Sequence, residues 1–314
     1  SFDRNTGLMN GISRASDPTK WRQSDRHSES LEEMQEDSIT LKVNQDMAYY
    51  RAWQPHAQLY DKRDPHVQNL QPPAWALSAR DVNVDGTSKS VKGTSDQPGG
   101  AYIFRTSKSD ETPTLIRNQE QHRVSLHVTE GELVSEVKQV FSDWVVQTVR
   151  VRKGSPLVEV EWTVGEVPMT DGWGKEVISI IDASETMTNT DSTIYTDSNG
   201  REFMPRVRDM ETEEFVAGNY YPLSTSAFVT DEGAGVQMSV LVDRGEGAAS
   251  LKDGQVELMV HRRLLVDDWR GVGEALNETT GGMTPYPDWI RQGRGITVGG
   301  TYNILVSPAH SAMK

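Results

Sequence analysis

The chain has 314 residues, a formal net charge of −14, 35% hydrophobic and 25% charged residues, and no cysteine. That length supports one large β domain or two smaller ones, and the low apolar fraction implies that part of the chain is loop. The acidic balance excludes a basic nucleic-acid-binding stripe, the missing cysteines exclude disulfides and cysteine-ligated zinc, and no apolar run is long enough to predict a membrane span.

Residues 1–10 lack the apolar stretch of a signal peptide and begin without methionine, so the chain reads as a piece cut from something longer. Residues 12–38 are rich in Ser, Asp, Glu and Arg with almost no apolar period. They predict loop or disorder, with one short helix around residues 31–35. Residues 39–53 are apolar and aromatic (Leu41, Val43, Met47, Tyr49, Tyr50, Trp53) and predict one or two strands. The next stretch carries Pro55, Pro65, Pro72, Pro73 and Pro98, and ends in a Gly-, Ser-, Thr- and Lys-rich run at 86–100. It reads as a loop-like insertion.

From residue 101 the character changes, and we divide the chain there: residues 1–100 are N-terminal strands with the insertion, and residues 101–314 are a β-sandwich domain. Strands are expected at 101–104, 123–128, 133–141, 145–152 and 157–164. The last is the cleanest: Val158, Val160, Trp162 and Val164 face one way, Glu159, Glu161 and Thr163 the other. The tract from 131 to 177 is therefore the centre of an antiparallel sheet. Further strands are expected at 176–181, 193–196, 224–229, 236–242, 256–260 and 296–306. Asn199-Gly200 and Asp253-Gly254 are hairpin signals. Many short strands and few helices make the chain all-β, an antiparallel sandwich.

Local chemistry is sparse. None of the seven histidines shows an HExxH-like spacing, and His122 and His127 would point to opposite faces of one strand. There is no GxSxG nucleophile elbow and no GxGxxG loop; Gly245-Glu246-Gly247 reads as a polar turn after a strand with no helix to follow. Among 46 acidic residues no glycosidase-like carboxylate pair stands out by spacing. In Asp171-Gly172-Trp173-Gly174-Lys175-Glu176 the tryptophan could stack on a sugar, or simply anchor a tight loop between strands. His261, Arg262, Arg263, Asp267, Asp268 and Arg270 form the densest polar cluster. It could hold a polar substrate rigidly, or it could be a salt-bridged strand end that docks onto another domain. Asn277-Glu278-Thr279 is an N-glycosylation sequon, with Asn277 the acceptor.

Several of these segments, in this order, resemble the class II, lysosomal-type α-mannosidases of glycoside hydrolase family 38. The matching stretches are Gly100-Ala101-Tyr102-Ile103-Phe104-Arg105 and Gly131-Glu132-Leu133-Val134-Ser135-Glu136-Val137 with Gln139-Val140-Phe141. Then come Val158-Glu159-Val160-Glu161-Trp162-Thr163-Val164-Gly165, Asp171-Gly172-Trp173-Gly174-Lys175-Glu176-Val177-Ile178-Ser179 and Tyr195-Thr196-Asp197-Ser198-Asn199-Gly200-Arg201-Glu202. The last are Val216-Ala217-Gly218-Asn219-Tyr220-Tyr221-Pro222 and Glu257-Leu258-Met259-Val260-His261-Arg262-Arg263-Leu264-Leu265, with Asp267-Asp268 and Arg270-Gly271. Phe2-Asp3, Thr6-Gly7-Leu8-Met9 and Val43-Asn44-Gln45-Asp46 look like the family's stretch just upstream. Residues 51–99 depart from the pattern, because the family usually runs quickly from the Asn-Gln strand to Gly-Ala-Tyr. The stretch after Glu274 also matches poorly.

The resemblance implies hydrolysis of α-linked mannose from N-glycans, with retention and with one zinc ion. It places the zinc ligands and catalytic aspartates in an N-terminal barrel whose motifs do not occur here, so neither a catalytic residue nor a metal ligand is assigned to this chain. It implies the β-sandwich behind the barrel, a galactose-mutarotase-like supersandwich. Tyr102 would lie near bound mannose, and Arg262, Arg263, Asp267, Asp268 and Arg270 would belong to the segment that supplies the pocket wall. The expected partners are the catalytic domain of the same protein and mannose-containing glycans, and the expected location is lysosomal, vacuolar or secreted. The alternative is a stand-alone carbohydrate-binding module that stacks sugars on Trp173 or Trp269.

Overall fold

The computed structural model describes residues 1–3, 5–15, 38–53, 104–117, 123–265, 276–280 and 294–309. In chain order the strands are β1 (Ile12–Ala15), β2 (Ser38–Leu41), β3 (Asn44–Arg51), β4 (Thr114–Leu115), β5 (Ser125–Thr129), β6 (Val134–Val140), β7 (Val145–Arg152), β8 (Leu157–Val164) and β9 (Lys175–Asp182). They continue as β10 (Thr193–Ser198), β11 (Glu202–Val207), β12 (Tyr220–Leu223), β13 (Ser226–Asp231), β14 (Val236–Val242), β15 (Glu246–Ala249), β16 (Gln255–Arg263) and β17 (Val298–Pro308). A helical turn, α1 (Phe215–Gly218), precedes β12.

Strand β8 shows why the chain folds this way. Its apolar residues Val158, Val160, Trp162 and Val164 are buried, while Glu161 and Thr163 between them face solvent. That alternation commits one face to a core. Nine strands join in the order β11-β10-β13-β14-β17-β8-β7-β6-β5, and six in the order β12-β15-β16-β9-β3-β4. Every pairing in both sheets is antiparallel. The sheets pack face to face over a core of Val149, Val160, Trp162, Met238, Tyr302 and Ile304 from one side and Met47, Val177, Ile181 and Leu258 from the other. The chain is thus an all-β antiparallel sandwich, as the alternation predicts.

The six-stranded sheet is covered on both faces. Its second face carries Ala48, Tyr50, Ile178, Ile180 and Met259, which pack against Phe104 and Val216 of α1. This explains β9, where every residue from Lys175 to Ile181 is buried: a strand with two dry faces cannot alternate. Strand β3 lies inside this sheet between β9 and β4, so residues before 100 contribute to the sandwich. On the solvent face of the larger sheet, Arg150 bonds Glu136 at 2.7 Å and Glu159 at 3.1 Å, and also pairs with Glu161.

Polar groups also cross the core. Gln139, Gln147, Gln45, Ser179 and Tyr302 are all buried. Gln139 Nε2 donates to the Gly7 carbonyl at 2.6 Å, and Gln147 Nε2 donates to Gln139 Oε1 at 2.6 Å and to Gln45 Oε1. Gln45 Nε2 donates to Ser179 Oγ at 3.1 Å, and Ser179 Oγ lies 2.7 Å from Tyr302 Oη. The chain of bonds runs from β6 and β7 to β3 and β9 and back to β17, so it ties one sheet to the other. Within it each donor or acceptor meets a partner, which keeps its burial from being costly.

The structure corrects several sequence expectations. The loop expected over 12–38 opens with a strand, for Ile12–Ala15 pairs with Ser38–Leu41, which starts one residue before the strands expected from 39. Ile12 and Leu41 of this pair are buried. The short helix expected around 31–35 lies outside the described residues, as do 101–103 of the strand expected at 101–104; Phe104 is not in a strand. Gly245-Glu246-Gly247 is not a free polar turn: Glu246–Ala249 is a strand held between β12 and β16. Its small residues suit a close approach, since a Cβ on Gly247 would come 2.7 Å from the Met259 sulfur. Strands β11 and β12 escaped notice because each contains a proline and exposed side chains. The Asn199-Gly200 signal holds, with φ of +54° and +68° closing β10 onto β11.

Gln147→Leu should lower stability by about 1–3 kcal/mol for each buried group it leaves without a partner. The double variant Gln45→Leu/Gln147→Leu should cost less than the sum of the two single changes, because they share one network. Urea unfolding midpoints read both effects, and strictly additive losses would show that the amides do not act together.

Candidate functional site

The densest arrangement of charged and aromatic groups sits where β3 ends, β9 begins and β16 ends. Register places Arg51 opposite Lys175 and Tyr50 opposite Glu176 on one side of β9, and Arg263 opposite Lys175 and Arg262 opposite Glu176 on the other. A bulge between Met259 and His261 breaks the register of β16 just before the arginines. Such an extra residue re-aims the side chains that follow it.

Each cation at this end is held. Arg262 Nε lies 3.5 Å from Glu176 Oε1, and Glu176 is only 1% exposed. Arg263 Nε donates to Asn277 Oδ1 at 2.7 Å and Arg263 Nη1 to the Val167 carbonyl at 3.2 Å. Burial pulls the Arg263 guanidinium below its ordinary pKa, and burial likewise lowers that of His261, whose Nε2 lies 3.2 Å from the Ile296 carbonyl. Arg105 stacks 3.8 Å over the Trp53 ring and Arg51 lies 5.3 Å over Trp173.

The Asp171–Glu176 motif forms the loop that leads into β9. Gly172 has φ +78°, and Asp171 Oδ1 accepts from the Trp173 amide at 3.2 Å and from Lys175 Nζ at 2.7 Å. Lys175 Nζ also donates to the carbonyls of Pro168 and Trp173. At Gly174 a Cβ would sit 3.2 Å from Leu264 Cα and 3.3 Å from Ala52 Cβ, so glycine lets the loop close against the ends of β3 and β16. This geometry is that of an aromatic-anchored loop between strands, one of the two readings open in the sequence.

Of the residues singled out in the sequence, Arg262 and Arg263 come together here. Tyr102, Asp267, Asp268, Arg270 and Trp269 lie outside the described residues. Asn277 is 7% exposed, its Oδ1 accepts from Arg263, and its Nδ2 is buried without a hydrogen-bond partner among the described residues. Sequence reasoning missed Arg51, Arg105 and Glu176. Glu176 had a signal, a carboxylate at the head of an apolar run. Arg51 and Arg105 had none, because their importance comes from register. Among the described residues no three His, Asp or Glu side chains gather as metal ligands.

Farther along the strands, Asp46 and Glu257 are buried, both opposite Ile180 of β9, and Glu246 at the start of β15 is half-buried. Glu257 accepts hydrogen bonds from Tyr50 Oη at 3.0 Å and Tyr220 Oη at 2.6 Å, and burial raises its pKa to about 7. Burial raises Asp46 to about 6 against the opposing pull of Arg117, which is paired with it at 3.2 Å. Burial and then the neighbouring Asp243 raise Glu246 to about 8.

The sequence profile described as the glycosyl hydrolases family 38 C-terminal domain matches residues 86–270. The lysosomal alpha-mannosidase of Felis catus is 46% identical over 203 residues, which is 63% of this chain and 19% of that protein. The lysosomal alpha-mannosidase of Homo sapiens is 43% identical over 224 residues, 69% of this chain and 20% of that protein. The alpha-mannosidase of Canavalia ensiformis is 44% identical over 216 residues, 67% of this chain and 20% of that protein. The chain therefore spans about a fifth of the length of the curated relatives it matches.

The three raised carboxyls set a pH dependence. A folded-state pKa above the unfolded value means that the folded chain holds protons the unfolded chain has released, so stability falls as pH rises from about 4 to about 8. Asp197, held down to about 2 by backbone amides that outweigh its burial, works the other way and loses its contribution only in stronger acid. The melting temperature should be several degrees higher near pH 5 than near pH 8. Glu257→Gln should flatten that difference; an unchanged or inverted profile would mean that these carboxyls stay ionised when buried.

Proposed function

The chain belongs to the glycosyl hydrolase family 38 C-terminal domain family, and on that premise we propose that it is a non-catalytic β-sandwich part of an α-mannosidase acting on α-mannosidic bonds of N-glycans. The observation that carries this reading is the cation-rich end of the six-stranded sheet. Its Arg105, Glu176, Arg262 and Arg263 lie within the region matched to the family, and its arginines are paired or stacked with neighbours. The barrel that this end buttresses supplies the catalytic carboxylates and the zinc.

The role of each residue follows from how it is held. Glu176 pairs with the Arg262 guanidinium at 3.5 Å, and a planar fork limited in orientation has less entropy to lose on meeting a hydroxyl. Asn277 and the Val167 carbonyl fix Arg263 in the same way. Tyr102, Asp267, Asp268 and Arg270 complete the pocket wall, with Tyr102 bonded to a mannose hydroxyl. Partners are the catalytic domain of the same polypeptide and mannose-containing glycans. The lysosomal names of the mammalian relatives support a lysosomal or vacuolar setting reached through the secretory route. The higher stability in mild acid expected from the raised carboxyls suits such a compartment.

The isolated chain, loaded with zinc, should not turn over an aryl α-mannoside. In the longer enzyme, Arg262→Ala should lower kcat/KM about 10–100-fold, the loss expected for one charged hydrogen-bonding group, and Arg262→Lys should recover only part of it. Turnover by the isolated chain, or an unchanged kcat/KM in the Arg262→Ala enzyme, would overturn the assignment.

A further inference from the structure

Between the edges of the two sheets lies a cleft of about 250 Å³ that the mannosidase reading does not use. Tyr49 and Leu115 of the six-stranded sheet form one wall and Trp144, from the turn between β6 and β7, stands on the other; Arg117, Thr170, Asp171 and Lys175 complete it. None of the arginines at the β16 end lines it. We propose that this cleft is a binding subsite for one neutral hexose unit.

Three features select that ligand class. First, Tyr49 and Trp144 are both half-buried. Half-exposed aromatic surface in a concave site suits a ligand with an apolar face, and the C–H face of a pyranose is one. The Trp144 backbone is fixed, since its carbonyl accepts from the Gly165 amide at 2.9 Å.

Second, the charges in the wall are already matched. Lys175 bonds Asp171 at 2.7 Å and Arg117 pairs with Asp46 at 3.2 Å. Each lining cation thus has a carboxylate partner.

Third, hydrogen-bonding capacity remains. Thr170 and Asp171 stand exposed in the lining. A ring of hydroxyls, each both donor and acceptor, can meet both together.

The motif that suggested sugar stacking therefore contributes in a different way. Trp173 carries Arg51 over its ring, while Asp171 and Lys175 of the same motif line the cleft.

The test uses the 314-residue chain, D-mannose and D-glucose as probes, and tryptophan fluorescence with ligand-detected NMR as readouts. At least one sugar should bind saturably with a dissociation constant on the order of 1 mM, as expected of a single shallow subsite. Trp144→Leu should abolish binding. Because that change could disturb packing, Thr170→Trp provides a second block: it fills the mouth from an exposed position and should abolish binding while leaving the melting temperature unchanged. Mannose 6-phosphate should bind no more tightly than mannose. The inference is overturned by no saturable binding of either sugar, by binding that survives Thr170→Trp, or by a tenfold preference for the phosphorylated sugar. None of these readouts depends on hydrolase activity, so failure here and failure of the mannosidase reading are separate results.

Discussion

A chain of buried amides and hydroxyls crosses the core of this sandwich, from the Gly7 carbonyl through Gln139, Gln147 and Gln45 to Ser179 and Tyr302. Apolar faces alone would let two sheets slide over one another, because burial of surface is not directional. Polar groups that must each find a partner permit far fewer arrangements. A slip of β3 by one residue would turn Gln45 to the opposite face and leave Gln147 and Ser179 without it. The placement of β3 beside β9, and hence the meeting of Arg51, Lys175 and Glu176 at one end, depends on this network holding its register.

What stands at that end is a set of cations made rigid from below. The bulge in β16 aims Arg262 and Arg263, the buried Glu176 and Asn277 orient them, and Gly174 lets the neighbouring loop close in. A buried ion pair is not a strong source of stability, since desolvation cancels much of its attraction. Its value here is positional: a guanidinium with one orientation is worth more to a binding wall than a mobile one. Glu257 accepts from two tyrosine hydroxyls, and burial raises its pKa to about 7, so by linkage its contribution to stability is greatest in acid.

The sandwich was legible because burial of one face writes itself into the sequence. Val158, Val160, Trp162 and Val164 alternate with polar residues, and the structure buries the first set. Where that rule relaxes, reading fails for identifiable reasons. Residues 246–249 form a strand without a single β-branched side chain because two neighbours hold them there. β11 lies at a sheet edge with nearly every side chain exposed, so no face is marked. At the site, Arg262 and Arg263 were visible as a cluster along the chain, whereas Arg51 and Arg105 join them only through strand pairing and packing. The cleft between Tyr49 and Trp144 was invisible for the same reason: its walls are far apart in sequence and meet only across the two sheets.

The central claim is that the β3–β9–β16 end faces the pocket of a longer α-mannosidase. Hydrogen exchange by mass spectrometry, comparing this chain alone with the same residues in that enzyme, tests it most directly. The account predicts that backbone amides at 51–53, 104–106, 173–177 and 261–265 exchange more slowly in the enzyme, and that a bound mannose analogue slows those at 261–265 further. Unchanged exchange at these positions, with new protection appearing instead along the β10–β11 edge, would contradict it.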